Sequence, residues 1–320
     1  MKVSVVIPVY NGENYLEETI QSVLNQTEEP FEILVVDDGS TDSTPQIVQK
    51  YSKIKYIHKK NGGVSSALNV GLREMKGDYF SWLSHDDLYL PQRQKELGKL
   101  FKDIQDPHHT IIAHDIQMID PEGKLLKTVK IPPRFQPILP YGIYSGWAFH
   151  GCASLIPRQL LLDLGGFPED KLYCQDTEMW LRLGNHGAKY IHIPEVYTGY
   201  RMHPNQGSVQ KKQIMLTELD KVYLQGIEEC PQPKEMIKFL YPKKTYTQGL
   251  FYLAQHHFHI TKYKKTSEHC IDLISKELPE EKFRELKKQW ENTKKIPHFI
   301  SPTFLKYSFR RVLEKGIFSP

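Results

Sequence analysis

The sequence is short of cysteine, of long apolar runs and of glycine phosphate loops. Its four cysteines in 320 residues, Cys152, Cys174, Cys230 and Cys270, stand 22 to 56 positions apart. That spacing fits no zinc site, and so few thiols in so long a chain are expected of a reduced, cytosolic protein. Apolar stretches run to about eight residues, against the ~20 that span a bilayer. The Val3–Val9 run is too short for a secretory signal and reads as a strand. No Gly-x-Gly-x-x-Gly follows it, which argues against a dinucleotide oxidoreductase. No Gly-x-x-x-x-Gly-Lys-Ser/Thr occurs anywhere, which argues against a P-loop phosphotransferase.

What is present describes a folded chain. Hydrophobic content is 39%, aromatic 11% and charged 25%, and a chain of this length is expected to form about two domains. The formal charge of +4 conceals two unlike parts. Residues 1–230 hold 24 basic and 29 acidic side chains, for −5, and residues 231–320 hold 18 and 9, for +9. Opposite charge along one chain suggests different tasks.

The first 130 residues alternate strand, polar turn and helix. Val3–Val9 is a β-branched run of the kind buried on both faces of a parallel sheet, and Phe31–Val36 reads as a second buried strand. Helical spacing follows over Tyr15–Gln26, Gln46–Tyr51, Ser65–Met75 and Leu90–Phe101. Lys55–His58, Tyr79–Leu83 and Ile111–Ile119 read as further strands, and a later helix falls around Thr177–Asn185. Pro132–Pro140 is an exposed connection, and the chain beyond about residue 210 is helical and Lys-rich. The fold class is therefore α/β, an open, mainly parallel sheet flanked by helices, followed by a smaller, mostly helical region; the domains are 1–215 and 216–320. Such sheets bind ligands beyond the carboxyl ends of their strands, where Tyr10-Asn11, Asp37-Asp38 and Asp86-Asp87 fall.

Adjacent carboxylates at a strand end repel each other unless a cation or hydrogen bonds offset them. Asp86-Asp87 suits Mg²⁺ or Mn²⁺ with phosphate oxygens completing the shell, or else caps the following helix. Asp37-Asp38 can meet a nucleobase or ribose, or equally cap a helix. A nucleotide held by carboxylates and metal, without a glycine loop, points to nucleotide-sugar chemistry.

Five segments, in order over about residues 1–205, resemble an inverting family 2 glycosyltransferase of the GT-A fold. They are Val3–Asn11, Glu32–Asp42, Asn61–Asn69, Tyr79–Pro91 and Gln175–Arg182. The resemblance implies that Tyr10 stacks on the base and Asp38 accepts from it, with Pro8, Asn11, Glu13, Asp37 and Asn61 close by. It implies that Asp86 and Asp87 take the metal and ribose-phosphate position, that Arg201 meets phosphate and that His203 completes the metal shell. Asp176 becomes the general base, and Trp147 and His150 approach the acceptor. The sequence departs from the family where Ser84 and His85 precede Asp86, and where Gln175 stands in the usual acidic position before the base.

The expected activity is then transfer of a hexosyl or N-acetylhexosaminyl group from a nucleotide-diphospho-sugar, a UDP-sugar first of all, to a hydroxyl of a glycan or lipid-linked acceptor. A sugar nucleotidyltransferase or pyrophosphorylase is the alternative, although Tyr10-Asn11-Gly12-Glu13 lacks the Gly-rich, basic loop a triphosphate needs. An inactive glycan-binding scaffold is the third reading. The basic C-terminal region, ending in Phe304–Arg311, suits an anionic membrane surface at the inner face of a cell membrane as well as it suits a solvated helical face. It also leaves an oligomer contact open. No nucleic-acid motif accompanies the lysines, so nucleic acid is not expected as a partner. Trp82 and Trp180 read as core, and His256, His257 and His259 as packing or surface groups.

Overall fold

The computed structural model describes residues 2–131, 141–145, 149–171, 173–206 and 211–295. Pro132–Pro140, Trp147 and Phe304–Arg311 lie outside the described residues. The chain divides into two compact units at Met215/Leu216, with the short stretch around Tyr144 belonging to the second.

In the first unit, β1 (Val3–Val9) is buried at every position and lies between β2 (Glu32–Asp37) and β4 (Tyr79–Trp82), with β3 (Ile54–His58) outside β2; all these pairings are parallel. The β-branched runs thus sit at the centre of the sheet, where no face meets water. Helix α1 (Leu16–Leu24) buries Leu16, Thr19, Ile20 and Val23, a stripe at helical spacing that faces the sheet. Helices α2 (Thr44–Val48) and α3 (Val64–Glu74) complete the parallel βα units.

Past β4 the sheet becomes mixed. The two-residue β5 (Leu88–Tyr89) and helix α4 (Arg93–Leu100) precede β6 (Thr110–Ile119), which forms a hairpin with β7 (Leu125–Val129). Strand β8 (Ser154–Pro157) runs antiparallel between β4 and β6, and β9 (Lys189–Arg201) runs parallel to β6 and antiparallel to β5. Helices α5 (Arg158–Asp163) and α6 (Gln175–Asn185) lie between β8 and β9 in sequence. The strand order is β3-β2-β1-β4-β8-β6-β9-β5, with β7 paired to β6 off this path. Trp82 and Trp180 are both buried, as expected.

The second unit is helical: α7 (Lys212–Glu228), α8 (Pro233–Leu240), α9 (Tyr246–Gln255), α10 (Lys264–Ser275) and α11 (Glu280–Lys294). A Thr245–Gln248 capping box opens α9, and a π-helical turn over His256–Thr261 closes it. His257 and His259 are buried in this unit, in the packing role expected of them. No helix among the described residues is long and apolar enough to cross a membrane.

Candidate active site

The turns after β1 and β2 are laced together by their own polar groups. Asn11 donates its amide N–H to Ser40 Oγ at 2.9 Å, and its side-chain oxygen accepts from Thr41 N. Gly12 N donates to Thr44 Oγ1, Glu13 N donates to Asp42, and Ser43 Oγ donates to Glu13 Oε2. A side chain at Gly12 would place its Cβ 2.4 Å from a Val9 methyl, so only glycine allows this approach. The lacing holds Tyr10 outward with 48% of its surface exposed, which suits it to stack on a planar ligand.

Asp37 and Asp38 are both buried and both engaged. Asp37 accepts from Ser40 N at 2.8 Å and from Tyr56 Oη at 2.5 Å, with His58 Nδ1 3.2 Å away. Burial pushes its proton affinity up, but the hydrogen bonds from Ser40, Tyr56 and His58 outweigh it and hold the carboxyl below its ordinary range. Asp38 accepts from Lys59 Nζ at 2.5 Å and from the amides of Gly62 and Gly63 at 2.9 and 2.7 Å. Its carboxylate thereby anchors the Asn61-Gly62-Gly63 loop, and Asn61 itself is exposed.

The turn after β4 is organised differently. His203 Nε2 lies 2.9 Å from Asp86 Oδ2. The His203 contact and the nearby His85 and His203 charges overcome burial and lower the Asp86 carboxyl. Asp87 is 1% exposed; its Oδ1 accepts from Arg201 N at 2.9 Å, and its Oδ2 has no hydrogen-bond partner. Burial and the adjacent Asp86 charge push its carboxyl well above the ordinary range.

A cavity of about 480 Å³ opens over these strand ends. Its wall includes Pro8, Tyr10, Asn11, Asp86, His203 and Gln175. Asp86 reaches the cavity while Asp87 lies beneath it. Arg201 departs from the phosphate contact expected of it. It is fully buried, with Nε on Asp86 O at 2.8 Å, Nη1 on Pro121 O at 2.6 Å and Nη2 on Glu18 Oε2 at 2.6 Å. Its cation also lies 4.8 Å from the Tyr15 ring centroid. Its donors therefore brace the site from behind. Glu13, Asp37, Asp38 and Asn61 likewise shape the walls without lining the cavity.

Asp176 stands in the first turn of α6, and its Oδ1 accepts from Thr177 N at 2.6 Å. Burial raises its proton affinity in spite of that bond. Its neighbour Gln175 is 8% exposed, lines the cavity and leaves Oε1 unpartnered. His150 is exposed, with its ring 4.9 Å from that of Tyr200, another cavity residue. Sequence reasoning missed Tyr200, Tyr173 and His85 in the wall. Only the neighbourhood of a motif marks Tyr200 and His85, and nothing local marks Tyr173.

A divalent cation fits these donors in part. Asp86 Oδ2 and His203 Nε2 are 2.9 Å apart, so these two residues would hold the ion, and the carboxylate is a donor of the kind Mg²⁺ and Mn²⁺ take. Among the described residues no cluster of three or more His, Cys, Asp or Glu is gathered for a metal. The other ligands would have to come from a substrate or from water.

The parallel βα half thus places a polar cavity, with the Asp86 carboxylate and the His85 and His203 imidazoles in its wall, at its strand ends. The glycosyl transferase family 2 profile matches residues 4–165. The chain belongs to that family. An uncharacterized glycosyltransferase of Rickettsia felis is 41% identical over 214 residues, 64% of this chain and 35% of that protein. One from Haemophilus influenzae is 30% identical over 223 residues, 64% of this chain and 67% of the relative. The chain thus spans about a third of the length of the Rickettsia felis relative. Among solved structures, S. aureus TarS 1-349 in complex with UDP-GlcNAc superposes with a TM-score of 0.57 at 17% identity, covering 85% of this chain and 90% of that one. The mannosyltransferase PcManGT from Pyrobaculum calidifontis, in complex with GDP-Man and Mn²⁺, gives 0.58 at 21%, covering 98% and 86%. At these identities the likeness is one of fold, and the fold is of the GT-A type.

Proposed function

We propose that the chain is a metal-assisted inverting glycosyltransferase that moves a sugar from a nucleoside-diphosphate donor, a UDP-sugar first of all, to a hydroxyl of a glycan or lipid-linked acceptor. The observation that carries this reading is the Asp86–His203 contact in the cavity wall, with Gln175, the residue before Asp176, on the same wall. A bound Mn²⁺ or Mg²⁺ would offset the charge of the departing diphosphate. Asp86 and His203 would hold it, and Asp87 would support Asp86 from below.

The remaining roles belong to the chain's own side chains. Tyr10 offers its exposed ring to the base. Asp176 takes the proton of the attacking hydroxyl through Oδ2, since Oδ1 is engaged by Thr177 N. Its raised proton affinity suits a base that must accept a proton near neutrality. A single displacement on the anomeric carbon then inverts configuration without a covalent intermediate. Gln175 Oε1, an acceptor with nothing to accept from, suits a sugar hydroxyl or amide N–H. His150 and Trp147 belong to the acceptor side in this reading.

Hydrolysis of a nucleotide-sugar panel with Mn²⁺ tests the proposal. Slow release of nucleoside diphosphate from one donor is expected. Turnover only with a nucleoside triphosphate would turn the assignment to a pyrophosphorylase, and no turnover or nucleotide binding would leave a scaffold.

A further inference from the structure

The β6–β7 hairpin carries a feature that the transfer chemistry does not use. Among the described residues strand β7 pairs with β6 alone, and it presents Lys124-Leu125-Leu126-Lys127-Thr128-Val129-Lys130. Leu125 is 54% and Leu126 56% exposed, the two most exposed large apolar side chains among the described residues. Register places Met118 opposite Lys127 and Ile119 opposite Leu125, so Leu126 is the extra residue of a bulge. A bulge breaks the strict alternation of a strand and re-aims its side chains. The two leucines are thereby freed from facing opposite ways. Lys124, Lys127 and Lys130 are all exposed, and none meets a carboxylate among the described residues.

The ribbon is also firmly built. Gly123 N donates to Asp120 O at 3.0 Å, and Asp120 Oδ1 accepts from Glu122 N and Lys124 N. Arg201 then fastens the turn through Pro121 O. Lysines on an edge strand discourage pairing with a second copy, because antiparallel edges would set like charges against each other. That role asks for polar neighbours, and two bared leucines work against it. Exposed apolar side chains with exposed lysines before and after them along the edge instead fit a surface that is apolar within and anionic at its face.

We propose that this hairpin docks on an anionic bilayer, with Leu125 and Leu126 entering the headgroup layer and Lys124, Lys127 and Lys130 meeting lipid phosphates. The surface stands on its own observations. Only its consequence rests on the function proposed above: Arg201 bonds both the hairpin turn and the Asp86 carbonyl, so docking here would bring the cavity to a lipid-linked acceptor.

The test uses the full chain with Leu126→Cys carrying an environment-sensitive NBD label, since the four native cysteines are buried. Phosphatidylcholine vesicles with about 30% phosphatidylglycerol should blue-shift and brighten the label, and pure phosphatidylcholine should not. A label-free Leu125→Ser/Leu126→Ser variant should lose about tenfold in partition to the anionic vesicles. Its Mn²⁺-dependent UDP binding should stay unchanged, so failure of the docking surface is distinguishable from failure of the transferase reading. A silent label overturns the proposal, even if the protein floats with vesicles through its basic C-terminal region. A label change that needs no vesicles and grows with protein concentration also overturns it, in favour of a second copy.

Discussion

Asp37-Asp38 and Asp86-Asp87 are the same dipeptide at the ends of two parallel strands that flank β1, yet the fold treats them in opposite ways. The first pair is satisfied from within: Ser40, Tyr56, Lys59, Gly62 and Gly63 donate to its carboxylates. The second keeps one carboxylate in a cavity against His203 and one buried beneath it with an oxygen that accepts from nothing. Five donors meet the first acidic pair, whereas the second is met by His203 and the Arg201 amide and keeps one carboxylate in the cavity wall, which is why the proposed ligand contacts fall there. Acidic composition alone does not mark a binding site; unmet hydrogen-bonding capacity does.

Breaking each pair should therefore give different losses. Asp86→Ala should abolish Mn²⁺-dependent UDP binding in calorimetry and lower turnover by about 10² or more while leaving the fold intact. Unchanged metal-dependent binding would remove Asp86 from the cation site. Asp176→Asn should cost about 10²–10⁴ in turnover with UDP binding retained. Near-normal turnover would dismiss it as the base.

Asp38→Asn should act on stability, by about 1–3 kcal/mol in urea unfolding, because it weakens the bonds to Lys59 and the Gly62 and Gly63 amides. Any loss of nucleotide binding should follow from the freed loop.

The smallest effects are those of pH, and their signs differ. Asp37 is held below its unfolded value, so its contribution is present above about pH 4 and is lost as pH falls through the lower, folded value. Asp87 is raised, so its favourable contribution is present below about pH 4 and is lost as pH rises through the folded value. Metal-free Asp87→Asn should then melt higher than the parent at about pH 7.5, with the gap closing as pH falls to about 4, whereas Asp37→Asn should melt lower at neutral pH. The same sign for both variants would erase the distinction between the two turns.

The amino-terminal half was legible because its signals are local. Val3–Val9 and Ile33–Val36 are apolar runs that suit buried strands, and each stops at polar residues. The later strands carry no such mark. Strand β8 has four residues ending in Pro157, and β9 contains Pro194 and loses register beside β6 between His114 and Ile116. Of the residues singled out by motif, Tyr10, Asp86 and His203 stand in the cavity wall, whereas the bracing role of Arg201 could not be read from sequence. Its partner Glu18 is 183 residues away, and nothing near either residue announces the other. Motif resemblance placed Arg201 at the phosphate, while burial and donor count turn it inward.

The Arg201 brace also fixes when the site can exist during synthesis. Asp86 emerges from the ribosome long before its partner His203, which lies 117 residues later, and the guanidinium that ties the Asp86 carbonyl to the hairpin turn comes just ahead of it. The first four strands can pair and bury their apolar runs without either. A nascent chain therefore carries the turns after β1, β2 and β4 before the residues that meet Asp86 from the end of β9 have been made. The cavity is thus a product of the whole strand order and not of the parallel half alone.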